Sequence, residues 1–425
     1  MTIDDHRQSD PLVLTASVWF WAAIAIGIAI RFYLVIFTEG TLDVAIWERH
    51  ARDVATRGLT GYYHADDSAN HPPFISEVES LLVRCADVSG IPFRILLRAP
   101  FILGDAGIAF LLLSLLWPSP WRFIIVTCYW LNPLSLIFSA YHGNTDCAVA
   151  FFLLLCVWLL SRGRIAAAGF FLGVSFWIKL PGVLAIPALI FFIQGWKRRF
   201  VFLVVVAVSA IFTYVPALIQ DASIVCKNVL GYHGLSLRTG AGEPIWGPRV
   251  LLFSIIAPPE KWPEWTHAPI LFFLKYGTCI GIALLIALSW LRRNRRSTAE
   301  LCATIASIYV VLYSLSDEWT FQYFAWSVPF WFFRRPWFFV PAIVLAGGYI
   351  YSLYWLLCGN GWLLGTWDFF GHRYWPSVVM FFRNSATLFL FVAACFFLGE
   401  AIYGEVSRVI KATSNGQSNK TLSFE

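Results

Sequence analysis

A single carboxylate, Asp43, follows directly on the first long apolar run, within Thr41-Leu42-Asp43, and His71-Pro72-Pro73-Phe74 comes after it. An acid held where lipid-borne groups meet water can serve as a general base towards a hydroxyl. At a helix start capped by Thr41, the same acid can equally complement the helix dipole. His71-Pro72-Pro73-Phe74 predicts a rigid extended turn, with His71 a candidate substrate contact.

Four ionisable residues stand in apolar surroundings: Arg31, Arg98, Asp105 and Lys179. Charges are costly in lipid and face a partner or a wet cavity. Arg98 and Asp105, seven apart, share a helix face, so a structural lock between neighbouring helices is one reading of them. Lys179 falls in Lys179-Leu180-Pro181-Gly182, which interrupts an apolar stretch, 165–194. A lysine at such a break can bind a phosphate or pyrophosphate, or it can snorkel to the interface. Arg98 and Arg31 stand behind Lys179 as candidate anion contacts.

Three further segments carry polar groups. In Tyr141-His142-Gly143-Asn144-Thr145-Asp146, Gly143 permits a tight turn. Asn144 or Asp146 would cap the next helix, and His142 and Asp146 are also candidate substrate contacts. Gly231-Tyr232-His233-Gly234, with Glu243-Pro244-Ile245-Trp246-Gly247, offers His233 and aromatics to a sugar ring, although interfacial loops are rich in Trp and Tyr in any case. Asp317-Glu318 leads into Gln322, which can hydrogen-bond a hydroxyl or a phosphate.

The elements that must position these groups are membrane helices. The chain is 59% hydrophobic and 13% charged, with mean hydropathy +0.68, which excludes a water-soluble globule and predicts an all-α polytopic membrane protein. Apolar runs predict spans near 11–37, 93–117, 121–140, 145–161, 199–219, 268–291, 299–316, 321–333, 337–357 and 378–403. The proline break at Lys179 splits 165–194 into two short helices, giving about twelve crossings in all. After the first span, Ile46, Trp47, Ala51, Val54 and Ala55 recur at helical spacing, which predicts an interfacial amphipathic helix closed at Gly58. The first outer loop covers 38–92 within one domain, 1–411, and 412–425 reads as a disordered tail.

Basic clusters at Arg122, Arg162/Arg164, Lys197-Arg198-Arg199, Arg292-Arg293, Arg334-Arg335 and Arg408/Lys411 place those ends and both termini in the cytoplasm. His50, His64, His71, His142, His233, His267 and His372 then face outward. The net charge of +6 calls for no nucleic acid. The nine cysteines lack CxxC spacing and read as core residues, with Cys226–Cys358 the one bridge that outer loops could form.

These segments together resemble the GT-C superfamily of integral-membrane glycosyltransferases. Within it, the chain looks most like the polyprenyl-phosphate-mannose-dependent mannosyltransferases, such as the catalytic subunit of the first GPI mannosyltransferase and its bacterial relatives. The resemblance is carried by the Asp43 loop with Pro72-Pro73, Leu97-Arg98-Ala99-Pro100 through Asp105, and His142 to Asp146. Gly173 to Pro187 around Lys179, and Gln322-Tyr323-Phe324-Ala325-Trp326 with Pro329-Phe330, complete it over 15–335. One departure is that the GPI-type enzymes have Asp-x-Asp where this chain has Thr41-Leu42-Asp43, which weakens the case for a metal bridged by two aspartates.

The resemblance implies a bundle of about twelve helices that moves a hexose, mannose first, from a polyprenyl-phosphate donor to a lipid or glycan acceptor. It implies inversion, Asp43 as base, and Lys179 beside the leaving phosphate with Arg98 and Arg31 behind it. Asp146 and Gln322 become sugar or metal contacts. No nucleotide is needed, and a divalent cation is left open. The outer face would be the periplasm of a bacterial inner membrane or an endomembrane lumen, with sparse loops favouring the former. The rivals are a transporter or lipid-linked-sugar flippase, which would show paired broken helices, and a catalytically silent scaffold subunit.

Overall fold

The computed structural model describes residues 11–232, 238–256, 261–316 and 320–421, with side chains from 18 to 411. It is helical throughout; a lone bridge between Arg238 and Pro244 is the one extended pairing among the described residues. The helices are α1 (Pro11–Phe37), α2 (Leu42–Ala65), α3 (Pro73–Ser89), α4 (Phe93–Leu115), α5 (Arg122–Trp130), α6 (Pro133–Leu136), α7 (Asp146–Ser161) and α8 (Ile165–Ile178). They continue with α9 (Ile186–Phe192), α10 (Trp196–Phe212), α11 (Val215–Val225), α12 (Glu264–Leu291), α13 (Thr298–Leu315), α14 (Val328–Trp331), α15 (Pro336–Cys358) and α16 (Ser377–Thr421).

Six helices are long and apolar enough to cross a membrane, and two bent pairs raise the number to eight. The run at 121–140 is one such pair, bent by 48° between α5 and α6, where Asn132 caps the new helix by accepting from the Leu134 amide at 2.9 Å. The run at 199–219 bends by 79° between α10 and α11. The run at 321–333 is no single helix: a tight 3-10 turn, Phe321–Trp326, is followed by the one-turn α14. The break at Lys179 is present, with α8 ending at Ile178, an extended Lys179 (φ −164°, ψ 145°), a 3-10 turn and then α9. The final helix extends to Thr421, and the remainder of the expected tail lies outside the described residues.

The loop 38–92 after the first span is a hairpin of α2 and α3. Thr41 caps α2 by accepting from the Asp43 amide at 3.3 Å, and Pro73 opens α3, where a missing N–H costs nothing. Gly58 does not end α2 as its position suggested. It takes φ 74° and kinks a helix that resumes to Ala65, because Leu59, Tyr62 and Tyr63 beyond it are buried against Tyr214, Ala217 and Val225 of the α10–α11 region. The first half of α2 buries Val44, Trp47 and Ala51 with Ile75 and Val83 of α3 and with Phe93, Leu97 and Phe101 of α4. The amphipathic helix is thus fastened at both ends to the bundle. Cys226 and Cys358 are free thiols, so the one conceivable bridge is not formed.

Two buried arginines join the helices beneath this hairpin. Arg31 on α1 is in ion-pair contact with Asp105 on α4 and donates to the Trp130 carbonyl at 2.9 Å. Its guanidinium also lies 3.6 Å from the Trp130 ring centroid. Asp105 accepts from Tyr129, and from Ser139 at 3.1 Å. Arg98 instead collects backbone carbonyls, at Val35 (2.9 Å) and Thr38 (2.7 Å) from the end of α1 and at Ala140 (3.3 Å) ahead of α7. Helix C-termini favour a cation in this way. Arg98 and Asp105 therefore do lock neighbouring helices, each with a different partner.

Arg31→Met should cost about 3–5 kcal/mol, because it strands a buried carboxylate. Reversible unfolding in mixed micelles would measure this, and Arg31→Met combined with Asp105→Leu should recover most of the loss. A double variant as unstable as Arg31→Met would show that charge stranding is not the cause.

Candidate active site

At one end of the bundle, five chain segments bring their polar groups together: the start of α2, the turn before α7, the α8–α9 break, the Phe321–Trp326 turn and α15. Asp43 is in the first turn of α2, whose position is fixed by Thr41. The Thr41 hydroxyl donates to the His142 carbonyl at 2.7 Å, tying the two loops together. Residues 137–141 form a wide turn closed by the His142 amide on the Ile137 carbonyl at 2.7 Å; such π-type turns recur at functional sites. Gly143 then adopts φ 74°, and a Cβ there would lie 2.3 Å from the Val44 side chain. Only glycine meets both the left-handed backbone and the close approach to α2.

The Asp43 Oδ2 atom is 3.1 Å from His142 Nε2 and accepts from Asn144 Nδ2 at 2.8 Å. No hydrogen bond from a described residue reaches Oδ1, and the side chain retains 31% exposure. His142 Nδ1 is in turn engaged by the Tyr354 hydroxyl. A carboxylate accepts and cannot donate, so the ionised Asp43 requires His142 to carry its proton on Nε2; in the neutral ring Tyr354 then donates to Nδ1. Burial pushes the Asp43 carboxyl upward, but the His142 hydrogen bond and charge, with Asn144 and Lys179, outweigh it and hold the pKa at about 2.

Asn144 is the bridge in this arrangement. Its amide nitrogen serves Asp43, and its Oδ1 accepts from Lys179 Nζ at 3.4 Å. Lys179 also donates to Asp146 Oδ1 at 2.7 Å, where Trp326 Nε1 donates at 2.5 Å. Asp146 Oδ2 is buried, with no hydrogen-bond partner among the described residues. An ammonium has three donors; two are used here, which leaves one for a ligand. The Tyr323 ring lies 5.3 Å from Nζ and stacks on Trp326 at 4.2 Å, forming an aromatic wall beside the cation.

His71 stacks on Trp47 at 3.7 Å between centroids, and its Nδ1 is buried and unpartnered. Burial first, and then the positive charge of Lys179, keeps the ring neutral well below the usual histidine range. Gln322 is half-buried in its turn with no side-chain hydrogen bond among the described residues. Arg31 and Arg98 do not join Lys179; both are fully buried and spend their donors on protein acceptors. His233 and Asp317-Glu318 lie outside the described residues. Among the described residues, no group of three His, Cys, Asp or Glu is gathered that could hold a metal. Sequence reasoning missed Tyr354 as the partner of His142 and Asn144 as the bridge rather than a cap.

Neither the protein-family models nor the curated proteins yield a match to this chain.

Two titrations test these environments. His142→Ala should raise the Asp43 pKa from about 2 towards the ordinary 3.8, read by the pH dependence of carbodiimide labelling followed by mass spectrometry; unchanged labelling would show that His142 does not set it. On α3, Glu79 is buried, and burial holds its carboxyl well above 4.5. The folded state then binds a proton that the unfolded chain releases, so stability should fall as pH rises above about 4.5. Glu79→Gln should remove that part of the slope in unfolding measured from pH 4 to pH 8, and an identical slope in both proteins would count against a neutral Glu79.

Proposed function

We propose that the protein is an inverting membrane glycosyltransferase that moves a hexose, mannose first, from a polyprenyl-phosphate donor to a lipid or glycan acceptor on the non-cytoplasmic face. The observation that carries this reading is the pairing, through one asparagine, of a carboxylate with an open oxygen and a lysine with an open donor, at the rim of a helical membrane bundle. Glycosyl transfer from a lipid phosphate requires both groups at adjacent positions. The segments are also those on which the resemblance to the GT-C mannosyltransferases rests.

In this mechanism the acceptor hydroxyl gives its proton to Asp43 Oδ1 as its oxygen attacks the anomeric carbon. The glycosidic C–O bond breaks on the opposite side, and its electron pair leaves with the polyprenyl phosphate. Lys179 meets the charge that develops there, in a site partly shielded from water. A resting pKa of about 2 makes Asp43 a weak base. A donor phosphate beside Lys179 offsets the positive charge that helps to lower it, so donor binding raises the basicity of Asp43 as the acceptor arrives. Asp146 Oδ2 and Gln322 are suited to accept from or donate to sugar hydroxyls.

The proposal includes about twelve crossings, in which the short apolar helices Asp146–Ser161, Ile165–Ile178 and Leu180–Phe192 traverse the bilayer beside the longer ones. It also includes cytoplasmic termini and a bacterial inner membrane whose periplasmic face carries the site. A lipid-linked-sugar flippase is the alternative.

The test is transfer of label from polyprenyl-phosphate mannose to a membrane-lipid extract in proteoliposomes. Asp43→Asn should lower the rate by about 10²–10⁴-fold, the usual contribution of a general base, and Lys179→Gln should lower it comparably. Equal rates in wild type and a folded Asp43→Asn would remove Asp43 as base. No transfer by wild type, together with scrambling of the labelled lipid across the bilayer, would favour the flippase.

A further inference from the structure

The opposite, arginine-rich end of the bundle holds a cavity of about 350 Å³ between α13, α15 and α16. Its polar wall contains Arg295, Arg334 and Arg335 with Glu300 and Glu400. Glu400 bridges Arg295 (2.7 Å) and Arg334 (2.6 Å), and Glu300 pairs with the buried Arg292 at 2.6 Å. Arg292, Arg295, Arg334 and Arg335 against Glu300 and Glu400 leave a formal surplus of two positive charges, 4 − 2. Arg335 carries that surplus into the cavity: it is exposed, and its side chain has no ion pair or hydrogen bond among the described residues. It also precedes the first turn of α15, a 23-residue helix that begins at Pro336 with no side-chain cap.

Aromatic residues line the same cavity. Trp337 and Phe396, both in membrane-span candidates, meet edge to face at 4.8 Å and are 41% and 53% exposed. The cavity therefore joins cationic groups to aromatic rings carried on helices long and apolar enough to cross a membrane. Amphipathic aromatics sit at headgroup depth, and basic pockets between membrane helices take anionic headgroups. A free phosphate would make no use of the aromatic wall.

We infer that this cavity is a binding site for one anionic phospholipid, with the headgroup phosphate between Arg335 and the start of α15 and the acyl chains over Trp337 and Phe396. The lipid would hold α13, α15 and α16 together at this end and takes no part in the chemistry at Asp43, so the site stands or falls independently of the transferase reading.

The experiment is native mass spectrometry of the full-length protein released from micelles containing equimolar dioleoyl phosphatidylglycerol and dioleoyl phosphatidylcholine. Wild type should retain one phosphatidylglycerol in preference. Arg335→Gln breaks no hydrogen bond or ion pair among the described residues, so it should fold normally and lower that retention by about fivefold, the factor one arginine supplies towards an anionic lipid. Arg335→Lys should keep most of it. Equal retention of the two lipids by wild type, or unchanged retention by Arg335→Gln, would overturn the site. Displacement of the lipid by equimolar soluble glycerol phosphate would overturn the lipid in favour of a phosphate-only site.

Discussion

The geometry of the site depends on Arg98 accepting the role of a surrogate helix cap. A helix ends with carbonyls that have lost their partners, and in an apolar interior each such carbonyl is expensive. Arg98 gathers them from two chain ends at once, Val35 and Thr38 where α1 stops and Ala140 where the wide turn stops. Those ends lead within a few residues to Asp43 and His142. A single planar cation therefore sets the separation of the two loops that form the site, and the Thr41–His142 hydrogen bond makes the final adjustment. The guanidinium suits this because its donors fan out in one fixed plane, which a lysine could not reproduce.

Above that clamp the polar groups form one connected path: Tyr354, His142, Asp43, Asn144, Lys179, Asp146 and Trp326. Each member holds the next in a defined protonation or orientation. Asn144 donates to a carboxylate through its amide nitrogen and accepts from an ammonium through its oxygen. An aspartate in its place would repel Asp43, and a lysine would compete with Lys179. Within the path, Asp146 Oδ2 finds no hydrogen-bond partner among the described residues, and a buried network with gaps costs more than a complete one.

Much of this was legible in the residues. Lys179 stood out because charge in apolar surroundings is costly and calls for a partner, Asp43 because it follows directly on the first span, and His142 and Asp146 as polar groups of a short turn between two apolar runs. The break at Lys179 followed from Pro181. Other features were hidden by the distance between contacting residues. Arg98 and Asp105 share a helix face, but two turns separate them by about 10 Å along the axis, so each finds its partner on another helix. Tyr354 is one aromatic among many in α15, and nothing in its neighbourhood of sequence marks it. Gly58 has the backbone of a helix stop, yet the apolar residues beyond it had a surface to cover and the helix resumed. Crossing number was least legible, because α7 and α8 have 16 and 14 residues, close to the lower limit for a span.

The contacts of Asp43 fall on one of its two oxygens. A free carboxylate is symmetric and would receive a hydroxyl from either side; this one is not. With Oδ2 occupied by His142 and Asn144, the remaining lone pairs point along one bearing, fixed by the protein before any ligand is present. Among the described residues, the side chain therefore offers its unoccupied oxygen along one direction only, and that direction is set by the turn before α7 rather than by Asp43 itself.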